Sequence, residues 1–161
     1  FVNGMLRKFK SCKMGLKSIC LFLCFSSLTF SQTVKECREN FSLSVNNELL
    51  CKRMINSLSL KKNDPVFIAY LGAYQTVWAN HVLSPVAKWK TFSAGKKNLE
   101  EAVKLNSELV EIRILRYTVQ QNAPKFLGYS TNIQEDKTFI LNSKSTIKDE
   151  GLLNFIKAVN L

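Results

Sequence analysis

One histidine, five cysteines, three prolines and six glycines are few for a chain of 161 residues, and each scarcity removes a class of protein. His81 is the lone imidazole, and Cys12, Cys20 and Cys24 crowd the first 24 positions, leaving Cys37 and Cys51 beyond them. Three Cys/His side chains cannot supply the four ligands of a structural zinc site, so no metal is expected. The low glycine and proline content excludes collagen-like and low-complexity chains, and 46% apolar residues suffice for the core of one domain. No apolar stretch reaches the ~20 residues of a membrane-spanning helix. Acids are scarce as well, 12 against 23 basic residues.

The first 31 residues have the layout of a secretory signal peptide. Arg7, Lys8, Lys10, Lys13 and Lys17 precede the apolar run from Ile19 to Phe25, which continues weakly to Phe30. Thr29-Phe30-Ser31 then fits a small-x-small cleavage site before Gln32. Export to a periplasmic or extracellular space is the expected localisation. Residues 1–4, ahead of Met5, are read as upstream translation, and 32–161 as a single mature domain. That domain holds 18 basic and 12 acidic residues, a net charge of +6. The excess is dispersed, unlike the concentrated stripe of nucleic-acid binders, and no nucleic-acid partner is expected.

Beyond the leader the apolar period is helical, and the expected fold is all-α. Val34, Cys37 and Phe41 define a helix over 33–43, and Leu50, Met54 and Leu58 a second, capped by Asn46 or Asn47. If these two form a hairpin turning near Ser44, Cys37 and Cys51 lie level with one another. A disulfide there would contribute about 3 kcal/mol, and two free buried thiols are the equal alternative. Asp64-Pro65 opens a third helix to about residue 80, with the small-residue seam Ala69, Gly72, Ala73 marking close helix approach. A fourth helix over 86–105 is expected to turn Trp89, Phe92 and Leu99 inward. A fifth over 108–121 carries Ile112, Leu115 and Val119. A sixth is capped by Ser130 or Thr131, and a seventh carries Leu152, Leu153, Ile156 and Val159. Arg116 falls at a packing position of the fifth helix, so it is expected to be partly buried and paired with Glu135, Asp136 or carbonyls of 123–129.

The stretch Gly95…Leu99…Ala102…Ser107 resembles the second helix of a tetratricopeptide repeat, and Leu71-Gly72 resembles the Leu-Gly of a first helix. The spacing from Gly72 to Ala102 exceeds a regular repeat, and Arg116 stands where a small residue is usual. The run from Glu111 to Arg116 with Asn122-Ala123-Pro124 and Phe126-Leu127-Gly128-Tyr129 resembles a group of exported helical proteins of Bacteroidetes, which brings no activity with it. The repeat resemblance implies antiparallel hairpins and a groove for a protein or peptide. Its register puts Ala69, Ala73, Thr76 and Val77 on the groove face of one helix and Arg113, Tyr117, Gln120 and Gln121 on that of another. An Arg there would offer a forked donor to a carboxylate.

Motifs of catalysis are missing: no nucleophile elbow, phosphate loop or dinucleotide fingerprint occurs, and no cofactor is implied. Glu100-Glu101 and Glu135-Asp136 are sequence neighbours, which do not share a helix face. His81 beside Ser84-Pro85 reads as a capping or surface residue. The leading expectation is therefore a non-enzymatic interaction or scaffold module. The alternatives are an envelope enzyme or ligand-binding protein using Arg113, Tyr117 and His81, and a protein whose basic surface contacts a membrane peripherally.

Overall fold

A computed structural model describes residues 26–161 apart from Lys62, with side chains from Val34 onward. The expected signal peptide falls almost wholly outside the described residues. Val34–Leu161 forms one compact unit.

Among the described residues there are seven α-helices and no strand: α1 Ser26–Leu43, α2 Glu48–Leu58, α3 Pro65–His81, α4 Pro85–Leu105, α5 Val110–Asn122, α6 Ile133–Ser143 and α7 Glu150–Ala158. Two single 3-10 turns, Lys125–Leu127 and Lys144–Thr146, flank α6. The boundaries follow local chemistry. Asn47 accepts from the Leu50 amide at 2.9 Å, Asp64 from Val66 at 2.9 Å, Ser84 from Ala87 at 3.4 Å and Asp149 from Leu152 at 3.1 Å. Each such cap stabilises its helix by about 1 kcal/mol. Pro65 and Pro85 occupy first-turn positions where no amide partner is lost. α6 departs from expectation: its cap is Asn132, without a side-chain bond.

The architecture turns on α3. Eleven of its 17 residues are buried, so no face is left for solvent. A helix apolar all round must be enclosed. α2, α4 and α5 pack against it, and Phe41 of α1 meets Tyr74 edge-on with ring centroids 5.5 Å apart. The Tyr74 hydroxyl donates to the Cys37 carbonyl at 2.8 Å. Phe67, Tyr70, Leu71 and Tyr74 are each at most 2% exposed, and burying one such side chain stabilises by ~1.5–3 kcal/mol. A second, smaller core joins Ile114 and Tyr117 of α5 to Ile140 of α6 and Ile156 of α7.

α3 and α4 form a hairpin across the short connection 82–84, in contact at two glycines. A Cβ on Gly72 would stand 2.7 Å from the Gly95 carbonyl oxygen, and one on Gly95 would stand 2.5 Å from that of Gly72. The methyl of Thr76 also fills the space beside Gly95. Both obstacles are largely backbone, so relief requires the helices to part.

In an open helix Gly→Ala gains about 1 kcal/mol; here the sign is expected to reverse. Gly95→Ala and Gly72→Ala should each destabilise by about 1–3 kcal/mol, the range for forced overpacking, measured by urea unfolding. Unchanged or raised midpoints would refute the close crossing.

Candidate functional site

The residues expected to line a groove lie mostly inside the protein. Thr76, Arg113, Tyr117 and Gln120 are between 2% and 9% exposed, and Ala69, Ala73 and Val77 are buried too; only Gln121 is open to solvent. The physical reason is coverage. Thr76 is wedged into the α3–α4 crossing, while α6 and α7 close over the face of α5 that a tetratricopeptide array would leave free. Tyr117 belongs to the second core, its hydroxyl taking a 2.6 Å hydrogen bond from Gln121. The side-chain amide of Gln120 makes no well-formed hydrogen bond.

The polar residues of α5 build an interior ionic junction instead. Asp136, fully buried in the first turn of α6, receives Arg116 in fork geometry: Nε to Oδ2 at 2.7 Å and Nη2 to Oδ1 at 2.7 Å. Arg113 donates through Nη1 to the same carboxylate at 2.8 Å and to Glu135 at 2.6 Å, while its Nε donates to the Ser107 carbonyl at 2.9 Å. Arg116 continues to Glu100 of α4 at 3.1 Å, and Glu100 accepts the Tyr129 hydroxyl at 2.6 Å. Arg113 holds the Glu135 carboxyl below its usual pKa, and burial pushes the Tyr129 phenol up, with Glu100 adding to the effect. Glu135 and Asp136, though sequence neighbours, converge on one guanidinium because both stand at the mouth of α6. The junction locks α4, α5 and α6 together and leaves neither arginine a free fork.

A second network joins helices distant in sequence. Arg38 of α1 meets Glu111 of α5 in a double 2.9 Å contact and reaches Asp149, the cap of α7, at 3.2 Å. The buried Tyr70 hydroxyl also donates to Glu111, and burial drives its phenol pKa strongly upward, reinforced by the carboxylate. Sequence reading missed this network. The signal was Glu111, one turn before Leu115 on the apolar stripe, since a carboxylate there requires a buried cation.

Cys37 and Cys51 are free thiols, both fully buried. Cys51 donates to the Tyr74 carbonyl at 3.5 Å. Burial pushes the Cys37 thiol up to about 12 and the Cys51 thiol up to about 11. His81 is half-buried at the end of α3, its Nε2 2.9 Å from the Ser44 carbonyl oxygen and its ring 5.6 Å from that of Trp78. Among the described residues no group of three His, Cys, Asp or Glu side chains is placed to hold a metal, and no helix is long and apolar enough to cross a membrane.

Trp89 corrects another expectation: it is 64% exposed. Counted in 100° steps along the helix, it sits about 100° from the centre of the inward face formed by Phe92, Gly95, Leu99 and Ala102. It does not stand alone. Leu83 is 95% and Val86 75% exposed, and the contact between His81 and Ser44 brings the α1–α2 turn alongside, where Leu43, Val45 and Leu49 are also exposed. Two neighbouring turns thus present six large apolar side chains at one end of the helices.

Two measurements check these arrangements. Asp136→Asn removes the buried carboxylate shared by Arg113 and Arg116 and leaves them only the half-exposed Glu135 and Glu100. It is expected to cost about 3–5 kcal/mol in urea unfolding, whereas replacing Arg113, Arg116 and Asp136 together by Met, Met and Leu costs far less; equal losses would contradict the junction. At neutral pH Cys37 and Cys51 should resist iodoacetamide in the native protein, and both should label in denaturant without reductant. Peptide mapping that finds neither labelled in denaturant would establish a disulfide instead.

Compared with known proteins, the chain matches no family model, no curated protein and no solved structure.

Proposed function

We propose that the chain is an exported, non-catalytic helical module that works by seating its basic surface against an anionic lipid surface. The observation that carries this reading is the division of charge. Burial withdraws Arg38, Arg113 and Arg116 together with Glu111 and Asp136, while the side chains of Glu100, Glu135 and Asp149 stay 40–57% exposed. Of the 18 basic and 12 acidic residues after position 31, 15 basic and ten acidic therefore lie outside this buried set, an excess of five positive charges. A cationic residue near an anionic bilayer contributes about 1 kcal/mol, so a handful acting together supports reversible attachment. The signal-peptide pattern of the first 31 residues supports delivery to such a surface.

A protein-binding groove is the less favoured reading, because the side chains that would line it are packed between helices or paired. Catalysis is disfavoured for a related reason: the arginines are committed to Asp136, Glu100 and Glu111, and His81 is engaged with a backbone carbonyl.

The domain 32–161, with its helicity verified by circular dichroism, is expected to co-sediment with phosphatidylcholine/phosphatidylglycerol vesicles, to release as salt rises, and to ignore pure phosphatidylcholine. Equal behaviour toward the two vesicle types would contradict the proposal.

A further inference from the structure

The end of the protein formed by the α1–α2 and α3–α4 turns stands apart chemically. Apolar side chains are exposed singly on most protein surfaces. Here Leu83, Val86 and Trp89 emerge within seven residues of chain, each more than half exposed, with Leu43 and Leu49 on the adjoining turn at 60% and 81%. Lys88 and Lys90, the residues on either side of Trp89 in sequence, are exposed. Segments 43–49 and 81–90 together contain those two lysines and one acid, Glu48. The two turns are held beside each other by His81 and Ser44, so the apolar side chains form one tip.

We infer that this tip enters the headgroup layer of an anionic bilayer, Leu83, Val86 and Trp89 passing below the phosphates while Lys88 and Lys90 contact them. The inference rests on the lipid-surface reading above and specifies which surface is used and how. Indole rings favour the boundary between headgroups and acyl chains, where an apolar body and a polar N–H are both satisfied. Lysines adjoining a shallow apolar wedge give the charge complementarity that an anionic interface supplies. A second copy of the chain is a poorer occupant, since a two-fold contact through the tip would gather four lysines against two acids, the two copies of Glu48. The remaining basic residues outside the interior networks then add long-range attraction without insertion.

The test uses the full chain carrying Trp78→Phe, which leaves Trp89 as the sole tryptophan and so reports on the tip whatever the N-terminal residues do. With phosphatidylcholine/phosphatidylglycerol vesicles, Trp89 emission is expected to shift to shorter wavelength and to be quenched by brominated acyl chains. Adding Leu83→Ser and Val86→Ser, both at exposed positions, should weaken the lipid-induced shift by about tenfold or more in lipid concentration. If the chain sediments with the vesicles while Trp89 stays unshifted and unquenched, the tip assignment is overturned and the lipid-surface reading survives. A shift that depends on protein concentration and needs no lipid would also overturn it, in favour of self-association. Failure of both the full chain and the domain 32–161 to sediment with anionic vesicles would overturn both.

Discussion

Enclosing α3 is the constraint from which the rest of the structure follows. A helix with eleven buried residues among 17 has no solvent face, so the chain must supply neighbours on every side. The α3–α4 crossing brings backbone to backbone at Gly72 and Gly95, α2 and α5 take further sides, and Phe41 of α1 closes over Tyr74. With α3 inside, α5 cannot remain a peripheral helix either. One of its faces meets the main core through Ile112, Leu115 and Val119, and the other forms the second core with α6 and α7.

That second enclosure is why the charges of α5 are interior. Arg113, Arg116 and Glu111 lie on a helix covered from two sides, and each would be costly without a partner. Asp136 and Glu135, which answer the two arginines, stand at the start of α6, where the helix dipole also favours negative charge, and Glu100 of α4 adds a contact to Arg116. Glu111 is answered by Arg38, which also reaches Asp149 at the start of α7. Fixing position and satisfying charge are accomplished by the same contacts. Because the buried charges nearly cancel, three cations against two acids, the surface keeps most of the domain's positive excess, on which the proposed lipid contact draws.

Much of this was legible beforehand, and the reasons differ by residue. Helix number and most boundaries were readable because caps such as Asp64-Pro65 and Ser84-Pro85 act locally. Gly72 and the small residues around it announce close approach through their composition alone. The groove was misjudged because the repeat register says which way a side chain points but not what lies over it. Tyr117 is buried against α6 and α7, and Gln120 is buried as well. Trp89 was assigned inward by its chemistry when its angular position placed it outside. The link from Arg38 to Glu111 spans 73 residues of sequence, and no local pattern encodes it.

Native-state hydrogen exchange tests the enclosure of α3 most directly. If α3 is sealed by its neighbours, the amides from Phe67 to Val77 should be among the slowest in the chain and should exchange only through global unfolding, with a free energy equal to that from urea. Amides of α3 exchanging through small local openings, as fast as those on the exposed side of α4, would contradict the account.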